Sequence, residues 1–234
     1  MKAVILAGGL GKRLRPLTQA IPKPLLPIGE KSIMEIQITN LVRQGVDEIY
    51  IATNYMADYV ESFLGDGSRY GAKLIFSKEK EPLGTCGPLT LLRDKLTEPF
   101  VVMNGDILTS VDFHDLIRFA EKEETLLTVA TKQIRTPFNF GSVEVKDNRV
   151  VSVEEKPDFL TEIIAGIYYF RPELLEQIPS NTFFGMDHLI LRLIASHTPI
   201  TRYLIEGFWL DIGRMDDYEH AQIAYSSHFK DDLV

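Results

Sequence analysis

The sequence predicts an α/β fold built on a mainly parallel sheet with helices on both faces, and two observations carry that reading. Through the first half, short apolar runs closed by turn residues alternate with stretches whose apolar residues recur at helical spacing, as in βαβ units. After the helix that Asp112 opens, closely spaced strand-like runs take over, which adds a smaller antiparallel, β-rich elaboration. With 234 residues, 45% hydrophobic and 25% charged, the chain fits one compact domain over 1–234, able to bury a core without disulfide or metal staples. Its halves are expected at 1–110 and 111–234.

Each element has its own signal. Lys2–Leu6 is a short apolar run stopped by Gly8 and Gly9, a buried strand entering a loop. Between Arg15 and Gly29, Pro16, Pro22, Pro24 and Pro27 argue against both helix and interior strand. Ser32 and Glu35 have capping-box spacing; Met34, Ile38, Leu41 and Val42 give a helical stripe, and Gly45 ends it. Glu48–Thr53 reads as a strand, Met56–Leu64 as a helix, Lys73–Ser77 as a strand, Cys86–Lys95 as a helix and Phe100–Asn104 as a strand. Asp112 then caps a helix with Phe113, Leu116, Ile117 and Ala120 on one face. Thr125–Thr131 is strand-like, and Gly141–Lys146 and Arg149–Glu154 flank Asp147-Asn148 as a hairpin. Ile163–Phe170 (strand), Asp187–Ala195 (helix), Ile200–Ile205 (strand) and Arg214–Ser226 (helix) complete the chain. The whole is a Rossmann-like mixed, mainly parallel sheet.

Composition removes several classes of function. The longest apolar runs, Ala3–Leu10 and Ile163–Phe170, fall far short of the roughly 20 residues of a membrane span, so no membrane partner is expected. A single cysteine, Cys86, forbids an internal disulfide, and no secretory cleavage pattern follows the first run; a cytoplasmic location is expected. A net charge of −8 argues against non-specific nucleic-acid binding. The charge is unevenly placed: Lys2, Lys12, Arg13, Arg15 and Lys23 all precede the first acid, Glu30. Any polyanion is therefore bound locally, through the N-terminal stretch.

That stretch holds the densest pattern, Leu6-Ala7-Gly8-Gly9-Leu10-Gly11-Lys12-Arg13-Leu14-Arg15-Pro16-Leu17-Thr18. Three glycines in four positions let backbone N–H groups approach an anion or a flat ring. It is not a P-loop, since Arg13 follows Gly11-Lys12 where Ser or Thr is needed. Nor is it a dinucleotide fingerprint, since Leu14 stands where Gly or Ala is needed. Further on, Pro22 and Pro24 flank Lys23, which is expected to hold its backbone extended and stiff and so lower the entropy lost when its ammonium clamps a phosphate.

Taken together, these stretches resemble the N-terminal fingerprint of the sugar nucleotidyltransferases, which join a nucleoside triphosphate to a sugar 1-phosphate and release pyrophosphate. The resemblance continues at Glu81–Leu89, Asn104-Gly105-Asp106, Glu154–Pro157, Ala165–Tyr168 and Gly207–Gly213, and spans about residues 1–225. It is strongest to the catalytic core of mannose-1-phosphate guanylyltransferases, many of which carry a left-handed β-helix after that core. The resemblance implies that Asp106 and Asp211 hold Mg²⁺ and that Arg13 holds the departing phosphates. Lys23 would bridge the α-phosphate and the sugar phosphate, and Lys156 would hold the sugar phosphate. Glu155 and Gly141 would contact sugar hydroxyls, making 111–234 the sugar-binding half. Leu6, Ala7, Gly8 and Gly84 would line the base and ribose, with Gly9, Gly11 and Lys12 completing the nucleotide loop. Family members are usually homo-oligomers, so a homo-oligomer is a possible state.

The implied chemistry is an in-line attack at the α-phosphorus, in which the protein positions two polyanions and neutralises their charge. A sugar phosphate is already ionised at neutral pH, so no general base is required, and the five histidines show no metal-ligand spacing. Two positions qualify the substrate. Ile164 stands where relatives often carry Asn, which leaves the sugar open. Glu79, five residues before Gly84, offers a carboxylate that can accept from both N1–H and N2–H₂ of guanine, so GTP is favoured over UTP or dTTP. A catalytically inactive regulatory subunit would have lost the aspartates or phosphate cations, yet Arg13, Lys23, Asp106, Lys156 and Asp211 are all present. A nicotinamide oxidoreductase is disfavoured by Leu14 and the proline-rich loop.

Overall fold

The computed structural model describes residues 1–230, so the last four residues of the expected second half lie outside the described residues. In chain order the elements are β1 (Lys2–Ala7), α1 (Leu17–Ala20), β2 (Pro27–Ile28), β3 (Lys31–Ser32), α2 (Ile33–Arg43), β4 (Glu48–Thr53), α3 (Ala57–Leu64), β5 (Lys73–Lys78) and β6 (Phe100–Asn104). They continue with β7 (Ile107–Thr109), α4 (Phe113–Glu123), β8 (Leu127–Pro137), β9 (Ser142–Lys146), β10 (Arg149–Glu154) and β11 (Asp158–Phe170). The last are α5 (Met186–Ala195), β12 (Ile200–Leu204), β13 (Trp209–Asp211) and α6 (Met215–His228).

Seven strands form the central sheet in the order β12-β8-β11-β6-β1-β4-β5. Only β11 runs against its neighbours, pairing antiparallel with both β6 and β8. The chain moves from β1 outward to β4 and β5, then returns to β6 on the other side of β1. That reversal opens a crevice at the carboxyl ends of β1 and β6, where open α/β sheets bind ligands.

Both faces of the sheet are buried, as crossover helices require. Ile5, Ile51, Val101 and Met103 face a core with Met34, Ile38 and Leu41 of α2 and Leu116 of α4. Val4, Tyr50, Val102 and Phe170 face the opposite core with Leu189 and Leu193 of α5. A third cluster packs Ala221 and Tyr225 of α6 against Leu14, Leu26 and Ile28, clamping the proline-rich loop. Tyr218 Oη and Gln222 Nε2 both donate to the Pro27 carbonyl.

Local signals account for most boundaries. Ser32 and Glu35 form the capping box of α2, and Asp112 accepts from the Asp115 N–H at the start of α4. Asp147 (φ 48°) and Asn148 (φ 60°) turn the β9–β10 hairpin through two left-handed residues, the preference of tight hairpin turns.

Three expectations are corrected. Within 15–29 the chain does form helical turns: α1 fits between Pro16 and Pro22, and a one-turn 3-10 helix at Lys23–Leu25 takes Pro24 into its first turn, where a missing N–H costs nothing. Lys23 is therefore not extended: its carbonyl accepts from Leu26 N–H at 3.1 Å. The helix expected at Cys86–Lys95 is a 3-10 helix over Gly87–Leu92. The N–H groups of Cys86 and Gly87 both donate to Phe184 O at 3.0 Å, and Pro88 has none to give, so an α-helical ladder does not start there. β8 and β11 are much longer than their apolar runs. Beyond Thr131 and before Ile163 they pair as an exposed arm, from Asp158 opposite Pro137 to Ile163 opposite Lys132, which main-chain bonding sustains without a buried face. Among the described residues no helix is long and apolar enough to cross a membrane.

Candidate active site

The crevice is built by turns that end β1 and β6. A Cβ on Gly105 would lie 2.9 Å from Leu6 O, and Gly105 N–H donates to that carbonyl at 2.8 Å. The absence of a side chain thus lets the Asp106 turn press directly on the last residues of β1. On the other flank, β13 pairs antiparallel with β7 so that Asp211 lies opposite Ile107. Ile212 N–H donates to Asp106 O at 2.9 Å, which fastens the two acidic segments together.

Three groups meet here. Lys23 Nζ lies 2.5 Å from Asp106 Oδ2, with Lys23 buried. Asp211 Oδ1 is buried and has no hydrogen-bond partner among the described residues. Burial, and then the nearby Asp106 charge, push the Asp211 pKa up to about 6, while Lys23 and Arg13 pull it down. The Arg13 guanidinium lies 3.3 Å from where a Cβ on Gly213 would stand, two residues past Asp211.

The glycine-rich loop runs beside this centre. Gly11 sits at φ 59°, and its carbonyl accepts from Thr18 Oγ1 at 2.8 Å and from Leu14 N–H at 2.9 Å. A Cβ on Gly11 would approach Lys23 Cβ to 3.2 Å, so the loop and the lysine are in close contact. Gly9, Lys12 and Arg13 border it, the two cations exposed. Across the loop, Glu79 Oε2 accepts from Leu83 N–H at 2.8 Å while Oε1 stands 2.8 Å from the Cβ position of Gly8. Burial raises the Glu79 pKa, and the Leu83 bond opposes it. Gly84, at φ 82°, lies where a Cβ would be 2.7 Å from Phe184 O.

The structure therefore gathers Leu6, Ala7, Gly8, Gly11, Arg13, Lys23, Asp106 and Asp211 at one edge, with Glu79 and Gly84 beside them. Gly141, Glu155 and Lys156 form a separate group on the β-rich arm. The Glu155 carboxylate stands 3.1 Å from the Cβ position of Gly141, and Lys156 is exposed. No hydrogen bond or ion pair among the described residues joins this group to the aspartates. Lys156 adopts φ 49°, a left-handed conformation that a non-glycine residue holds only when its surroundings impose it. The following Pro157 anchors this turn, its carbonyl accepting from Phe138 N–H at 2.9 Å.

Two supporting residues have roles that the sequence does not reveal. Thr18, the last residue of the glycine-rich pattern, ties down Gly11 through its hydroxyl. Lys132 donates to the carbonyls of Ile205, Glu206 and Gly207 at 3.1, 3.1 and 2.8 Å, holding the segment that leads to Asp211. A lysine partway along a strand gives no hint of that.

Among the described residues no group of three or more His, Cys, Asp and Glu side chains comes together. Two carboxylates, one with an unpartnered buried oxygen, fit Mg²⁺ in the manner this ion prefers, with substrate phosphates and waters supplying the other ligands.

Glycines, the cations Arg13 and Lys23, and the carboxylates of Asp106 and Asp211 thus meet at the topological switch of the sheet, where α/β folds bind phosphorylated ligands. The chain belongs to the nucleotidyl transferase family, whose model matches residues 2–228. It is 38% identical over 227 residues to the probable mannose-1-phosphate guanylyltransferase 1 of Oryza sativa subsp. japonica, covering 93% of this chain and 63% of that protein. Thus the chain spans just under two thirds of the length of the curated relatives it matches. Among solved structures, a putative glucose-1-phosphate thymidylyltransferase from Bacillus anthracis, in complex with a sucrose, superposes with a TM-score of 0.77 at 25% identity, covering 95% of this chain and 94% of that one. HddC from Yersinia pseudotuberculosis, complexed with GMP-PN, gives 0.76 at 27% identity, covering 96% and 99%.

Proposed function

We propose that this chain transfers a nucleotidyl group from a nucleoside triphosphate, GTP by preference, to a sugar 1-phosphate, forming a nucleotide sugar and releasing pyrophosphate. The observation that carries the reading is the centre itself: Lys23 on Asp106 at 2.5 Å, beside Asp211 with a buried, unpartnered oxygen. Asp106 and Asp211 would hold Mg²⁺, whose chemistry is to draw charge from phosphate oxygens.

The remaining work falls to the protein's own groups. The glycine loop presents backbone N–H groups to the triphosphate, and Arg13 and Lys12 neutralise the β- and γ-phosphates. Lys23 stands where it can exchange Asp106 for phosphate oxygens. Lys156, with Glu155 and Gly141, brings the sugar phosphate from the arm. A phosphate oxygen of the sugar 1-phosphate bonds to the α-phosphorus as the bond to the β-phosphate oxygen breaks, and its electron pair leaves with pyrophosphate. No proton moves, since the attacking group is already anionic. Positioning and charge neutralisation supply the rate, and each well-placed donor is worth about 10²–10³-fold in such sites. The unpaired, buried Cys86, its thiol pushed up to about 12 by burial, suits a reducing cytoplasmic setting.

Glu79 favours guanine, because its carboxylate lies against Gly8 at the edge of the loop. The name of the rice relative and the GMP-PN bound by HddC support the same base. The thymidylyltransferase likeness supports a second reading, a uridylyl- or thymidylyltransferase acting on a hexose 1-phosphate. Crossing GTP, UTP, dTTP, CTP and ATP against mannose, glucose, glucosamine and heptose 1-phosphates, with Mg²⁺ and a pyrophosphate readout, separates the two. Turnover with GTP supports the first reading, and turnover confined to UTP or dTTP replaces it with the second.

A further inference from the structure

Asp106 lies in the turn Asn104–Ile107, between β6 and β7. Gln37 of α2, almost fully buried, donates both hydrogens of its side-chain amide to that turn. Its Nε2 is 2.9 Å from Asn104 O and 2.7 Å from Ile107 O. Both partners are carbonyls, so only the NH₂ end of the amide can face them. With Gly105 N–H on Leu6 O and Ile212 N–H on Asp106 O, the main chain is pinned on both sides of the carboxylate. An apolar residue at 37 would leave two carbonyls unpaired, and a carboxylate would set lone pairs against them. Gln37 Oε1, in turn, is buried with no partner among the described residues. A polar side chain thus occupies a core position of the α2 stripe and serves only the Asp106 turn.

Lower on the same face, Asn40 Nδ2 donates to Thr109 O and Gln44 Nε2 to Val111 O, each at 3.1 Å. These rungs hold the end of β7 and the chain just past it, and do not touch the turn. α2 and its C-cap Gln44 therefore carry a ladder of three amides, of which only Gln37 acts on the turn that holds Asp106.

We propose that Gln37 is a positioning residue for the transfer reaction, fixing the turn that aims the Asp106 carboxylate at its partners. The inference rests on the reaction proposed above. Misplacing a reacting group by about 1 Å costs on the order of 10²-fold in rate, so Gln37→Met should lower kcat by about that factor while KM for both substrates stays within about threefold. Asn40→Leu, matched for loss of thermal stability, should keep kcat within about threefold. In parallel, amide hydrogen exchange of the substrate-free chain should quicken at Gly105 and Ile212 in Gln37→Met and not in Asn40→Leu. Should Gln37→Met fail to fold, the isosteric Gln37→Glu replaces it. Its side chain can donate only when protonated, so its kcat relative to the unsubstituted chain should fall as pH rises from 6 to 8.

Unchanged kcat in the Gln37 variants, or equal losses in Gln37→Met and Asn40→Leu, would overturn the proposal. So would unaltered exchange at Gly105 and Ile212. Absence of pyrophosphate release from the unsubstituted chain would instead remove the transfer reading, and the exchange comparison would still decide whether Gln37 holds the turn.

Discussion

Replacing Asp211 with Asn is expected to stabilise the metal-free protein while abolishing transfer. Asp211 is half-buried, and burial followed by the Asp106 charge lifts its pKa from an ordinary 3.8 to about 6, against the pull of Lys23 and Arg13. Well below the unfolded chain's pKa of 3.8 the carboxyl is protonated in folded and unfolded chains alike, so it exerts no penalty. As pH rises from about 4 through about 6, the unfolded chain gives up its proton first, and stability falls. Above about pH 6 the loss is complete. The gap between the two pKa values sets an upper limit of about 3 kcal/mol, and solvent screening at a partly exposed carboxylate brings this to about 1–2 kcal/mol. For a chain of this size each kcal/mol moves the melting temperature by about 2–4 °C. Asp211→Asn, melted in chelator from about pH 3 to about pH 8, should therefore gain roughly 2–8 °C at about pH 7.5 and almost nothing at about pH 3. A variant less stable than the parent at pH 7.5, or a difference independent of pH, would refute the reasoning.

Other substitutions test neighbouring parts of the account. Glu79→Gln should reduce the preference for GTP over UTP by about 10-fold, since a bidentate base contact discriminates by about 1–3 kcal/mol; an unchanged ratio removes the guanine assignment. Because burial raises the Glu79 pKa, the same variant should melt higher at neutral pH, with the gain vanishing once both states are protonated at low pH. Gly84→Ala combines a φ of 82° with a Cβ 2.7 Å from Phe184 O, so it should lose about 1–3 kcal/mol of stability and bind nucleotide more weakly in titration calorimetry. Asp112→Ala removes the cap of α4, far from the crevice. It should cost about 1 kcal/mol with kcat unaltered in the pyrophosphate assay.

Much of this molecule was legible in its sequence because local rules and global fold agree there. β4 and β6 fall where their apolar runs begin and end, α2 starts at its capping box, and Asp147-Asn148 turns the hairpin through left-handed residues. Asp106 and Asp211 could be read from the motifs around them, and the structure brings them together through the β7–β13 ribbon. That ribbon was not foreseen: three-residue strands paired across about 100 residues leave no periodic trace. The helix expected at 86–95 was misread because apolar spacing does not distinguish an α-helix from a 3-10 helix whose first N–H groups answer to a distant carbonyl. Lys23 was misread for a related reason. Its flanking prolines fix only the neighbouring residues' φ and the local sterics, whereas the Leu26 N–H bond decides the turn. Gln37 and Lys132 act on main-chain carbonyls remote in sequence, contacts that composition and spacing do not record.

The most direct test of the account follows the label rather than the pyrophosphate. With the nucleoside triphosphate carrying ³²P at the α-position and Mg²⁺ present, the parent chain should move the label into a nucleotide sugar. The Asp106→Ala and Asp211→Ala variants should each lose at least about 10³-fold of that transfer, the upper range for removing one group from such a centre. Label appearing as free nucleoside monophosphate, or transfer persisting without either aspartate, would contradict the claim that these two carboxylates serve nucleotidyl transfer to a sugar phosphate.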